Sequence, residues 1–240
     1  MIFRLRVMRL NKYLRDAGVA ARRKADQLIQ EGRVQVSGRT VREPWLQVNP
    51  KRDTVTVDGR PVRLRHSRHY LKLYKPRGVT STLADPHAEQ TLSRYLPSGL
   101  RLVPVGRLDR ESEGLVLLTD DGELINRLTH PRFGVPKRYQ VMLTRSPSRE
   151  ELARLREGVE LEDGPFQPTQ VRRTGDQELE LTLHEGRKRE IRRGFAALDH
   201  EVSRLVRLSI GPVELGVLTP GEMAPLSARE LQALGVNPTS

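Results

Sequence analysis

The sequence predicts an α+β protein of two domains, on three observations: helical spacing of apolar residues near the start, two-residue alternation in most later apolar segments, and a step in charge near residue 69. At 240 residues there is length for a small domain and a medium one. Residues 1–69 carry 17 Lys and Arg against 6 Asp and Glu, a net of +11, whereas residues 70–240 carry 25 against 24. The first part therefore reads as a polyanion-binding module on a nearly neutral body, with nucleic acid the leading partner. An acidic membrane surface fits less well: it favours a basic helix backed by aromatic or Leu-rich residues, and the chain is 4% aromatic. The absence of cysteine excludes disulfides, thiolate metal sites and a thiolate nucleophile. No run of about 18 apolar residues occurs, and Arg4 and Arg6 interrupt the N-terminal apolar stretch, so neither a membrane span nor a signal peptide is indicated. A cytoplasmic protein is expected, with residues 1–7 as an extension before Met8.

Leu10, Tyr13, Leu14 and Ala17 recur at helical spacing, which Gly18 ends. A second helix runs from about Arg22 to Glu31, with Ala25, Leu28 and Ile29 on one face and Gly32 as its stop. Val34 and Val36 then alternate with polar residues before the turn Ser37-Gly38 and Val41. Val55 and Val57 lead into Asp58-Gly59 and Val62, a strong hairpin signal. The stretch LNKYLRDAGVAARRKADQLIQEGRVQVSGRTV resembles the alpha-L RNA-binding module found in a ribosomal protein, a heat-shock ribosome-binding protein and bacterial tyrosyl-tRNA synthetases. The resemblance implies an RNA-binding domain over 8–62 in which Arg22, Arg23 and Lys24 meet RNA phosphates, contacts that position without reading sequence. Ala21 departs from the usual serine, which removes a helix cap worth ~1 kcal/mol. Residues 63–69 read as a basic linker.

The second domain is expected over 70–240. Leu71 and Leu73 alternate as a strand before the turn Lys75-Pro76-Arg77-Gly78, and Thr91 to Leu96 reads as a short helix. Leu115 to Thr119 is a run short enough for a buried strand, closed by the turn Asp120-Asp121-Gly122, with a helix from Glu123 to Thr129. Tyr139, Val141 and Leu143 alternate as a strand, and Ser148 with Glu151 has the spacing of a capping box for a helix ending at Gly158. Leu179, Leu181 and Leu183 give a strand with one wet face, Val202 to Ile210 another, and Leu226, Leu231 and Leu234 ordinary packing.

Two segments carry candidate chemistry. In VGRLDRESEGLVLLTDDGEL, Asp109 lies between Arg107 and Arg110 just before the apolar run, where cations would keep a carboxylate ionised. On local pattern a surface ion pair explains it as well. In GRKREIRRGFAAL, Ile191, Phe195 and Leu198 form one helical stripe, and Arg187, Lys188, Arg189, Arg192 and Arg193 concentrate charge around its first turns. A helix N-terminus is already positive, so this cluster calls for an anion, either a phosphate or a buried carboxylate. The histidines show no metal-binding spacing, and there is no phosphate-binding or dinucleotide glycine loop. What remains is an acid with its arginines, suited to nucleophilic attack at an anomeric carbon or to proton abstraction.

GRLDRESEGLVLLTDDGEL, KRYQV, VELEDGP, EGRKREIRR and VSRLVRLSIGPVEL, in this order over nearly the whole chain, resemble the RsuA/RluB family of ribosomal-RNA pseudouridine synthases. That resemblance implies a catalytic core built on a mixed, largely antiparallel sheet flanked by helices, and isomerisation of uridine without cofactor or metal. It implies Asp109 as the catalytic aspartate, by nucleophilic attack on the sugar C1′ or removal of its 2′ proton. It assigns Arg107 to the flipped nucleotide's phosphate or the loop, Tyr139 to stacking on the base, Arg192 to pairing with Asp109, and Leu205 to the pocket wall. Arg187 and Lys188 are expected at RNA phosphates, and Glu190 departs from a common glutamine. Glu111, Glu113, Asp120 and Asp121 are expected in loop and turn roles. The partner implied is ribosomal RNA, 23S favoured, or a pre-ribosomal particle, met by a monomer. A 16S synthase of the RsuA type, a non-catalytic assembly factor and a glycoside hydrolase using Asp109 with Glu111 or Glu113 are the alternatives.

Overall fold

The computed structural model describes residues 7–64, 68–83 and 88–236, and contacts divide the chain into two compact units between Arg68 and His69. The extension before residue 7 and positions 65–67 of the expected linker lie outside the described residues.

In the first unit a two-residue strand β1 (Met8–Arg9) leads into helices α1 (Leu10–Asp16) and α2 (Arg22–Gln30), followed by β2 (Val34–Val36), β3 (Arg39–Val41), β4 (Gln47–Val48), β5 (Val55–Val57) and β6 (Arg60–Val62). β1 pairs with β4, and the other four form an antiparallel sheet in the order β3-β2-β5-β6. Both hairpin turns place two consecutive residues at positive φ, Ser37 (48°) with Gly38 (80°) and Asp58 (49°) with Gly59 (74°). That is the turn geometry whose twist matches paired strands, and it explains why these dipeptides announce the hairpins. Leu10, Leu14, Ala25, Ile29 and Val34 close a small core. Arg22, Arg23 and Lys24 stand exposed on the first turn of α2, which has neither a capping side chain nor an acidic residue. Positive side chains on a positive helix end leave an electrostatic demand for an anion.

The second unit runs β7 (Tyr70–Lys75), β8 (Val103–Val105), β9 (Glu113–Thr119), α3 (Gly122–Thr129), β10 (Lys137–Leu143), α4 (Arg149–Glu157), β11 (Gln170–Arg173), β12 (Glu178–Leu183), α5 (Glu190–Ala196), β13 (Val202–Ile210), β14 (Val213–Glu214), β15 (Met223–Pro225) and α6 (Ala228–Ala233). Its sheet is mixed and mostly antiparallel, ordered β11-β12-β10-β13-β9-β7-β15, with β14 on β13 and β8 on β9. The parallel pair is β9 with β13, registering Glu113 with Val206 and Gly114 with Arg207. Every residue of β9 is buried. Val116 and Leu118 face a core with Leu152 of α4 and Phe195 of α5, whereas Leu115 and Leu117 face one with Leu124 of α3 and Leu231 of α6. Two covered faces account for the uninterrupted apolar run. Gly114 is required at the parallel junction: a Cβ there would lie 2.4 Å from the Arg207 carbonyl oxygen.

The segment expected to be helical at Thr91–Leu96 is a single 3₁₀ turn, Leu92–Tyr95. β8, β11 and β15 are short strands where no element was expected. Glu113, expected in a loop or turn, is instead the buried first residue of β9, where it accepts from Tyr74 Oη at 3.1 Å and Arg204 Nε at 2.7 Å. β9 starts earlier than the Leu-rich run suggests, because Tyr74 and Arg204 neutralise the acid inside the sheet.

The capping box of α4 forms as the spacing requires, with Ser148 and Glu151 bonding each other's backbone amide. Glu151 also accepts from Arg145 at 2.9 Å and lies 3.1 Å from His200 Nε2. The Arg145 hydrogen bond, with the Ser148 amide, holds the Glu151 carboxyl down at about 2. A carboxyl lowered from 4.5 to about 2 contributes stability that is complete above pH 4.5 and disappears as pH falls to 2. Glu151→Gln keeps the capping geometry and removes the charge. It is expected to be up to about 1 kcal/mol less stable than the parent at pH 7, with the gap closing between pH 4.5 and 2 when chemical denaturation is followed against pH.

Candidate active site

Asp109 sits in the loop joining β8 to β9, an antiparallel pair with Val105 opposite Leu117. Gly106, at φ 74°, turns the chain into this loop, and the Ser112 amide donates to the Asp109 carbonyl at 3.0 Å to close it. Both neighbours of Asp109 are clamped. The Ser81 hydroxyl donates to the Leu108 carbonyl at 2.7 Å and accepts from the Leu108 amide at 3.0 Å, while the Leu108 side chain is buried in the core. On the other side the Arg110 carbonyl accepts from the Gly78 amide at 2.8 Å and from Lys75 Nζ at 3.4 Å. The Arg110 guanidinium turns away, towards the Gly78 carbonyl and Glu89. Asp109, half-buried, thus projects from a short segment whose backbone has little freedom.

Lys75 is the less expected part of this arrangement. It is fully buried, and its ammonium donates to the carbonyls of Pro76 (2.9 Å), Val79 (2.7 Å) and Arg110. Burial, reinforced by the nearby Arg207 guanidinium, pulls the amine down to about 8, against the opposing pull of Glu113 and Asp109. Nothing in Lys75-Pro76-Arg77-Gly78 distinguishes a buried lysine from a turn lysine. Its pattern reads only as a turn, whereas Lys75 is the last residue of β7.

The Asp109 loop opens on a cleft of about 380 Å³, lined among others by Ser112, Tyr139, Ile191 and Leu205. Register explains the assembly. On β10 and β13 Tyr139 lies opposite Arg207 and Val141 opposite Leu205, while β9 sets Glu113 beside Val206. Seven sequence-predicted residues, Asp109, Arg107, Tyr139, Arg192, Leu205, Arg187 and Lys188, line this cleft. Tyr139 and Leu205 are buried in its wall and Arg107 is exposed. The three cations of α2 belong to the other unit.

Two arginines differ from expectation. Arg192 makes no ion pair with Asp109; its guanidinium donates to the carbonyls of Val202 (2.7 Å) and Glu111 (3.3 Å). Burial lowers its pKa, with Glu111 and Asp109 acting in the opposite direction. It therefore stands within electrostatic reach of Asp109 while bracing the end of the same loop. Arg187, expected at an RNA phosphate, is occupied by protein: Glu190 at 2.8 Å, Asp163 at 3.1 Å, and the carbonyls of Gly164 and Pro165. Its helix begins only at Glu190, and that buried carboxylate, with Asp163, supplies the anion demanded by the charge cluster. Lys188 and Arg189 are exposed at the rim. Among the described residues no group of three or more His, Asp or Glu side chains is placed to hold a metal ion.

The RNA pseudouridylate synthase family profile matches residues 69–197, and the S4 domain profile matches residues 8–53. An uncharacterized RNA pseudouridine synthase of Aquifex aeolicus is 43% identical over 95% of this chain and 93% of its own length. The ribosomal large subunit pseudouridine synthase B of Bacillus subtilis is 37% identical over 94% of this chain and 95% of its own. A crystal structure described as a pseudouridylate synthase superposes with a TM-score of 0.69 at 31% identity, covering 95% of this chain and 99% of that one.

Lys75→Met keeps the length of the side chain, takes the ammonium from three carbonyls, and leaves Arg110 only the Gly78 amide as donor. It is expected to lower stability by about 2–3 kcal/mol and to speed hydrogen exchange at the Gly78 amide, which bonds Arg110. Unchanged protection at Gly78 would show that the lysine does not hold the loop.

Proposed function

The chain belongs to the RsuA/RluB family of RNA pseudouridine synthases and carries an N-terminal S4 RNA-binding domain, and from that premise we propose that it isomerises a uridine of 23S ribosomal RNA with Asp109 as the catalytic group. The observation that carries this reading is the single cleft in which a doubly clamped Asp109 faces Tyr139, Leu205 and Arg192. A uridine must leave its stack to be isomerised, and such an enzyme needs a closed wall, a face on which to stack and cations at the mouth. Tyr139 and Leu205 supply the wall, with the Tyr139 ring against the base. Arg107 and Lys188 at the mouth take the flanking phosphates.

The reaction breaks the bond between C1′ and N1, rotates the base and forms a bond between C1′ and C5. The C5 proton leaves and N1 gains one, so composition is unchanged and no oxidant or group donor is required. A carboxylate suffices for either route, as nucleophile at C1′ or as base at C2′. Arg192 is close enough to Asp109 to interact with it electrostatically, and its guanidinium places positive charge at the cleft. The large-subunit substrate is carried over from the Bacillus subtilis relative's name, at 37% identity.

The direct test is carbodiimide-stop mapping of pseudouridine on 23S and 16S transcripts. Product is expected at a 23S position with the parent protein, and a loss of about 10²–10⁴-fold or more with Asp109→Asn. Equal product from both proteins overturns the role of Asp109, and product on 16S alone overturns the choice of RNA. Separately, neutralising Arg22, Arg23 and Lys24 is expected to flatten the dependence of log affinity on log salt by about 0.7–0.9 per lost phosphate contact. An unchanged slope would remove them from the interface.

A further inference from the structure

Trp45 is the chain's one tryptophan, and it lies within the stretch that matches the S4 profile. Its side chain is 65% exposed, more than Phe133 at 42%; only Val217, which has no π face, is more exposed among the described large apolar residues. The other described aromatic residue of the first unit, Tyr13, is buried and its hydroxyl donates to the Val62 carbonyl. Trp45 takes no part in the small core that Leu10, Leu14, Ile29 and Val34 close.

The backbone that carries this ring is held on both sides. The Asn11 amide donates to the Pro44 carbonyl at 3.1 Å, the Leu10 amide to the Leu46 carbonyl at 2.8 Å, and the Leu46 amide closes the turn on the Glu43 carbonyl at 3.1 Å. β1 and β4 pair directly beyond it, Arg9 opposite Gln47. A large ring on a fixed mount loses little conformational freedom when it meets a partner. Arg9 is exposed on the strand that flanks this turn, and Arg42, exposed on its other side, donates to the Gln30 carbonyl at 2.7 Å; both belong to a unit with a strong excess of positive charge.

We propose that Trp45 is a base-stacking platform: it takes the face of one unpaired nucleobase of an RNA whose phosphates the surrounding cations hold. This rests on the reading of the first unit as an RNA-binding module. Stacking suits a site of this kind because every base has a π face, so the contact adds affinity without demanding a sequence. It also selects against continuous duplex, whose bases are covered by their neighbours. The S4 unit then recognises RNA at a loop, bulge or junction rather than along a regular helix.

Because the ring is the sole tryptophan, its emission reports on this site alone. The full chain is titrated with a hairpin bearing an unpaired loop and with a blunt duplex of equal length, binding being followed independently by anisotropy of labelled RNA. The hairpin is expected to quench Trp45 emission and to shield it from acrylamide, with no comparable change on the duplex. Trp45→Ala is expected to weaken hairpin binding by roughly 5- to 100-fold, and Trp45→Phe to recover most of that loss, at unchanged circular dichroism. Hairpin binding that leaves both the emission and the Trp45→Ala affinity unaltered overturns the stacking site while leaving the RNA-binding reading intact. Equal quenching by duplex overturns the preference for unpaired bases, and absence of binding to either RNA overturns both readings together.

Discussion

One buried ammonium group holds the loop bearing Asp109 to the sheet. Lys75 ends β7, a strand that pairs along its length with β9, and its three donors meet three backbone oxygens, the last on the residue after Asp109. Burying a charge is unfavourable unless its hydrogen bonds are met, and here all three are. Ser81 completes the hold from the other side. The conformation of the loop is therefore imposed by β7 and the turns after it, and Asp109 receives its position from neighbours fixed in the protein interior. Preorganisation of this kind removes a reorganisation step from the reaction.

The charge around the cleft is divided between structure and surface. Arg187 and Arg193 converge on Asp163, and Arg187 also holds Glu190, so the start of α5 is neutralised internally. Arg204 is neutralised by Glu113. Arg192 sits between these cases, bonded to carbonyls and not to a carboxylate, so its positive charge is not cancelled by its closest partners. Such a cation strengthens the field at Asp109 without tying up the acid. Arg107, Lys188 and Arg189 at the cleft and Arg22, Arg23 and Lys24 on α2 remain exposed.

Much of this was legible in the sequence where local chemistry decides structure. The Asp58-Gly59 hairpin, the Ser148 capping box and the full extent of Val202–Ile210 all form as their residues require. The cleft was legible through a family resemblance that brings together residues spaced along the chain, from Arg107 to Leu205. What escaped were features created only by tertiary neighbours. A lysine before a proline carries no sign that it will be buried, and Glu113 reads as polar until Tyr74 and Arg204 surround it. The arginine run before α5 calls for an anion, but only the folded chain shows that Glu190 and Asp163 meet Arg187 and Arg193 from within the protein. Short edge strands such as β11 and β15 have too few residues to develop an alternation.

The parallel pairing of β9 with β13 joins segments that are far apart: Arg207 reaches the Leu115 carbonyl across 92 positions, whereas the Ser81 and Lys75 clamps span 27 and 35. Closing a long loop is slower than closing a short one, and its entropy must be met before its contacts form. The loop bearing Asp109 can therefore acquire its shape while the far wall, with Leu205, Arg192 and the second face of Tyr139's strand, is still absent. The order of assembly implied is acid first and pocket last. A chain leaving the ribosome presents Asp109 before Tyr139, Arg192 and Leu205, so the cleft has no far wall until β13 joins the sheet.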